Sequence, residues 1–123
     1  MGRPMLATLT RRADFLAAAR AGRAGTPAFL LQARKRQENE ADPTLVRVGF
    51  TCSKKVGNAV ARNRAKRRLR EIARAVLSEL GRPGWDYVLV GRADVTANLP
   101  FETLLQELCE AVERVHKPRP VKS

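Results

Sequence analysis

Thr51–Leu80 reads TCSKKVGNAVARNRAKRRLREIARAVLSEL, and the parsing of this stretch decides the fold. A strand end runs through Ser53, Lys54, Lys55 and Val56 into Gly57-Asn58, and a helix follows. At about 100° per residue, Ala61, Ala65, Leu69, Ile72, Ala73, Val76 and Leu80 gather on one side. That is the apolar stripe of a helix laid on a core. Asn63, Lys66, Arg67, Arg70 and Arg74 fall roughly opposite, with Arg64 and Arg68 on one flank and Arg62 on the other. Between Lys54 and Arg74 the only acid is Glu71, so one residue cannot neutralise this face. Water, counterions or a polyanion must relieve the repulsion, and a phosphate backbone does so by releasing condensed counterions. Asn58 is a good N-cap, and Gly57 permits a tight turn into the helix. The unpaired N–H groups and positive dipole at that end form an anion site. Lys54, Lys55 and Arg62-Asn63-Arg64 surround it. A solvated basic face is the bland alternative; the density and one-sidedness favour nucleic acid.

The rest of the composition agrees. The chain has 123 residues, a formal net charge of +12 and a pI near 11.2, values that draw a protein to polyanions with salt-sensitive kinetics. One domain is expected over residues 1–123, ordered from about 8 to 117. Aromatics are few (four Phe, one Trp, one Tyr), fewer than a protein gripping single strands mainly by stacking would carry. Cys52 and Cys109 belong to no metal-binding spacing, and His116 stands alone, so no zinc site is expected. No apolar run approaches the ~20 residues of a membrane span, and a secretory signal is not supported. A soluble cytoplasmic protein with reduced thiols is the expectation.

Along the chain, residues 1–9 read as a loose start. Thr10 is placed to cap a helix from about Arg11 to Arg20, with Leu9, Ala13, Leu16 and Ala17 at core spacing and Phe15 off that stripe. A turn-rich break at Gly22–Pro27, with room for a short edge strand, precedes a strand at Ala28–Arg34. Residues 35–44 form a polar loop. Leu45–Cys52 is the clearest strand: Val46, Val48 and Phe50 alternate with Arg47, Gly49 and Thr51. After the basic helix, GRPG turns the chain into WDYVLVGR, a central strand. A connection over 91–99 leads to a last helix, Phe101–His116, striped by Phe101, Leu104, Leu105, Leu108, Val112 and Val115. His116 is read as a surface residue at the helix end. The order α-β-β-(β)-α-β-α describes a two-layer α+β sandwich. The acids are scattered, Glu38-x-Glu40-x-Asp42 reads as a solvated loop, and no nucleophile or phosphate-loop motif is present. By itself the chain is a binder, without a catalytic or metal site.

The string Ser53–Arg70, SKKVGNAVARNRAKRRLR, closely resembles the protein subunit of bacterial ribonuclease P, whose hallmark is an Arg-Asn-Arg helix entered through such a turn. The Asp14-Phe15 helix, the Arg47–Phe50 strand, WDYVLVGR and the closing helix fall in the family's order. The resemblance implies a left-handed β-α-β crossover around the basic helix, against the usual rule. It also implies a catalytic RNA subunit that uses Mg²⁺ to remove the 5′ leader of precursor tRNA. The protein would be a monomer in a 1:1 complex with that RNA. Carried over by position, Lys54, Lys55, Asn58, Arg62, Asn63, Arg64, Lys66 and Arg68 would meet the RNA subunit. Arg11, Arg12, Phe15, Ala19, Gln32, Arg67 and Arg70 would meet the leader, in a cleft between the basic helix, the first helix and the sheet. Ala19 and Gln32 stand where the family often has aromatics, which implies less stacking and more reliance on cations. The alternative is a non-enzymatic basic RNA-binding protein, of ribosomal or chaperone type. DNA binding through the helix and a freestanding metal nuclease fit the residues less well.

Overall fold

The computed structural model describes residues 5–40, 42–52 and 58–117. Lys54 and Lys55 lie outside the described residues. Nine elements follow one another: β1 (Leu6–Thr8), α1 (Arg12–Ala19), β2 (Gly22–Gly25), β3 (Phe29–Lys35), β4 (Val46–Cys52), α2 (Ala59–Leu80), β5 (Trp85–Gly91), α3 (Ala93–Asn98) and α4 (Phe101–His116). The strands form one sheet in the order β1-β4-β5-β3-β2. β4 runs parallel to both β1 and β5, while β3 is antiparallel to β5 and β2. β4 and β5 are thus parallel neighbours joined through α2, a β-α-β crossover, within an α+β fold.

Alternation along the strands builds two unequal faces. Phe29, Leu31 and Ala33 of β3, Val46 and Val48 of β4, and Tyr87 and Leu89 of β5 turn to one side. They pack there with Leu69, Ile72, Ala73, Val76 and Leu77 of α2 and Leu104, Leu108, Ala111 and Val112 of α4. The opposite face holds a smaller cluster of Leu9, Ala18 and Val88, with Phe15 and Val90 against it. β5 sits at the centre of the sheet and is buried on both faces, as its apolar run predicts.

Several local expectations change. The opening segment is not loose from residue 6: β1 pairs with β4, Leu6 opposite Val46 and Thr8 opposite Val48. Helix α1 begins at Arg12 and its N-cap is Arg11, without a side-chain cap, so Thr10 does not serve. Its inner face is Phe15 and Ala18, whereas Ala13 is exposed and Leu16 is 46% exposed. In α2, Leu77 takes the core place expected of Leu80, which is 43% exposed. The connection over 91–99 contains α3, held by buried Thr96, which accepts from Arg92 N at 2.7 Å and donates to Ala28 O.

Turns are fixed by side chains. At the β2–β3 hairpin the Thr26 hydroxyl donates to Phe29 O and accepts from Ala28 N and Phe29 N. Before β5, Gly84 has φ +86°, a region that a side chain disfavours.

Candidate nucleic-acid interface

Asn58 caps α2 as expected: its side chain accepts from Ala61 N at 2.9 Å, and its carbonyl accepts from Arg62 N at 3.0 Å. The cap fixes the first turn, and with it the direction in which Arg62, Asn63 and Arg64 leave the helix. Asn58, Asn63, Arg64, Arg67, Arg70 and Arg74 are exposed, and Arg62, Lys66 and Arg68 are half-buried. Burial of the apolar stripe therefore turns a row of cations outward along the helix.

The cations do not share one environment. Arg62 and Lys66 lie close enough to the end of β4 for their charges to favour the Cys52 thiolate, yet burial dominates and pushes that thiol up. Arg70 stands over the ring of Phe50, 5.8 Å from its centroid, within cation–π range. With Arg74 it borders a cleft of about 210 Å³ between β1 and α2. Arg68 turns the other way. Its guanidinium donates to Ala97 O at 2.7 Å, to Thr96 O at 3.3 Å and to Leu99 O. These are carbonyls at the C-terminal end of α3, so Arg68 supplies donors that the helix end lacks and has less to offer a phosphate than its neighbours.

On the other face, Phe15 lies so close over β4 that a Cβ on Gly49 would stand 2.5 Å from its Cε1. The missing side chain of Gly49 leaves room on this face of β4, and Phe15 fills it. Ala19 is exposed and Gln32 half-buried; Gln32 pairs with Val88 and Arg23 across the sheet. Arg11 and Arg12 are exposed at the start of α1. Arg11, Asp14, Glu40 and Arg47 border a polar cavity of about 400 Å³ there. The residues assigned to the leader are thus divided. Arg11, Arg12, Phe15, Ala19 and Gln32 belong to α1 and its face of the sheet, whereas Arg67 and Arg70 ride on α2 across the sheet.

A charge network missed by sequence reasoning holds α1 in place. Asp86 is fully buried in β5 and accepts from Arg36 at 2.6 Å and bidentately from Arg47 at 2.7 and 2.7 Å. Arg36 also donates to Trp85 O, Asp42 O and Leu45 O, so it is core rather than loop surface. Arg47 reaches Asp14 of α1 at 3.4 Å, and Asp86 beside it raises its pKa. The signal was present: a carboxylate inside WDYVLVGR must be paired when buried. Glu40 is engaged by Arg34 at 3.0 and 3.1 Å, and the Gln37 N–H and Arg34 hold its pKa below the usual range.

His116 is half-buried and engaged rather than free at the surface. Its Nε2 lies 2.6 Å from the Tyr87 hydroxyl, and Trp85 meets its ring edge-on at 4.3 Å. Burial, assisted by the Arg82 charge, pushes it down to about 4; burial pushes Tyr87 up to about 12. Among the described residues no group of three or more His, Cys, Asp or Glu is placed to hold a metal, and no helix is long and apolar enough to cross a membrane.

Fold and surface together define a small basic α+β domain that exposes a capped cationic helix. The chain belongs to the ribonuclease P protein family: that family's model, described as Ribonuclease P, matches residues 4–116. The chain is 60% identical over 115 residues to the ribonuclease P protein component of Ruegeria pomeroyi, covering 94% of this chain and 90% of that one. It is 45% identical over 108 residues to that of Paramagnetospirillum magneticum, covering 87% and 80%. Among solved structures, the RNase P protein from Thermotoga maritima is similar with a TM-score of 0.71 at 27% identity, covering 89% of this chain and 98% of that one. Membership places the chain in a tRNA-processing ribonucleoprotein as the partner of RNase P RNA.

Proposed function

We propose that this chain binds the catalytic RNA of ribonuclease P through α2 and meets the 5′ leader of precursor tRNA on the α1 face of the sheet. Cleavage at the mature 5′ end belongs to the RNA and its Mg²⁺; the protein raises affinity for the leader-bearing substrate. One protein pairs with one RNA. The observation that carries the reading is the capped helix α2, with Asn63, Arg64, Arg67, Arg70 and Arg74 all exposed beside the half-buried Arg62 and Lys66. Lys54 and Lys55 precede the helix in sequence and are assigned to the same RNA. On the α1 side, Arg11, Arg12, Phe15 and Gln32 take the leader, with one ring for stacking.

The test is precursor-tRNA cleavage at low Mg²⁺ by protein alone, ribonuclease P RNA alone, and both. Activity from the mixture only, at the mature 5′ end, supports the reading. Tight RNA binding without stimulation moves it to a ribosomal or chaperone role, and cleavage by protein alone means an active site elsewhere. If ~5–7 phosphates are contacted, affinity falls with a log–log salt slope of about −4 to −6. Leader-dependent affinity is expected to rise in an Ala19→Phe/Gln32→Tyr variant; no change removes the stacking argument.

A further inference from the structure

The cleft between β1 and α2 lies on the opposite side of the sheet from Phe15, and the proposed leader path leaves it without a role. Its floor is the ring of Phe50, with Arg70 above at 5.8 Å from the centroid. Ala73 keeps the back wall low, and Arg74 and the exposed Thr8 form the rim. An aromatic ring with a guanidinium over it and a second cation at the rim is the chemistry that holds an unpaired nucleotide, the base stacking on the ring–guanidinium pair and the phosphate meeting the rim cation. The α2 residues of the cleft, Arg70, Ala73 and Arg74, lie in mid-helix, and a row of cations leads to them from the first turns. Arg62, Lys66, Arg70 and Arg74 recur every fourth residue, which sets them along one ridge of the helix about 6 Å apart. The ridge runs from the Arg-Asn-Arg turn to the cleft mouth.

We propose that this cleft binds one unpaired nucleotide of the RNA subunit, its base against Phe50 and Arg70 and its phosphate on Arg74. This rests on the RNA-subunit reading above. The RNA subunit rather than the leader is the source because the ridge leads into the cleft from the turn assigned to that RNA, while the sheet separates the cleft from α1.

The test uses holoenzyme reconstituted from the full chain, ribonuclease P RNA and precursor tRNA, with Thr8→p-benzoylphenylalanine as a photo-crosslinker at the rim. Crosslinks to an unpaired nucleotide of the RNA subunit are expected, reduced at least fivefold by Arg70→Ala with Arg74→Ala. Phe50→Leu, which keeps an apolar side chain against the core, is expected to weaken RNA-subunit binding about five- to tenfold. Arg74→Ala should lower the salt slope by about one. Crosslinks confined to the leader overturn the assignment. So do parental affinities in Phe50→Leu and Arg74→Ala when Arg64→Ala binds more weakly, a result that leaves the RNA-subunit reading intact. Parental affinity in all three, Arg64→Ala included, overturns both.

Discussion

Replacing Gly49 by Ala tests the placement of Phe15 most directly. Gly49 lies in β4 opposite Val88 of β5. A Cβ there would stand 2.5 Å from Phe15 Cε1, 2.7 Å from Cζ and 3.2 Å from Leu9 Cβ. Carbon atoms rest about 3.5–4.0 Å apart, so the ring must retreat by about 1 Å while Arg47 tethers α1 through Asp14. Overpacking of this kind costs about 1–3 kcal/mol. The strand itself gains about 0.5–1 kcal/mol when Gly becomes Ala, leaving a net effect between about zero and a loss of about 2.5 kcal/mol. In a Phe15→Ala background the ring is gone and only the Leu9 contact remains. There Gly49→Ala should be neutral or stabilising by up to about 1 kcal/mol. The double-mutant cycle therefore predicts a coupling of about 1–3 kcal/mol, read from urea midpoints with m unchanged. On the leader reading, Gly49→Ala also lowers leader-dependent affinity as Phe15→Ala does, without changing affinity for the RNA subunit. Equal costs in the two backgrounds would refute the reasoning, because the ring would then not lie on Gly49.

Asp86→Ala leaves Arg36, 1% exposed at its side chain, without its carboxylate and should cost about 3–5 kcal/mol in chemical unfolding. Arg34→Ala, which breaks the partly exposed Glu40 pair, should cost under about 1 kcal/mol. Arg68→Ala removes the donors to three carbonyls of α3 and should destabilise by about 1.5–3 kcal/mol, whereas Arg64→Ala should stay within about 0.5 kcal/mol and act on RNA affinity instead. His116, pushed down to about 4 from 6.5, binds its proton more readily in the unfolded chain. Its contribution is complete above pH ~6.5 and is lost as pH falls toward 4. Thermal unfolding of His116→Gln against the parent across that window should show a flatter pH dependence in the variant, and parallel curves would contradict the buried Tyr87–His116 contact.

How much was legible in the sequence depended on whether contrast or contact carried the information. α2 was legible because 22 residues alternate between apolar and cationic faces and a capping Asn precedes them; only Leu77 and Leu80 exchanged places. β4 and β5 were legible from alternation and from an unbroken apolar run. α1 offered no contrast: in RADFLAAA alanines occupy several faces, so nothing told the inner side from the outer until Gly49 was seen beneath Phe15. β1 is three residues long and pairs with residues 46–48, a non-local partnership with no local period. Arg64 and Arg68 are chemically identical and four residues apart, and it is the carbonyls of the short helix α3 that engage Arg68, which no local pattern announces. Asp86 announced that it needed a partner, but Arg36 and Arg47 come from elements that only the fold brings together. The helical wheel showed that Arg67 and Arg70 point outward, yet a wheel carries no information about which side of the sheet the helix lies on. Because α1 and α2 pack on opposite faces, Phe15 and Arg70 cannot line one cleft floor. Charge density alone therefore points to a class of partner, and the sheet keeps the residues of α1 and of α2 on separate faces.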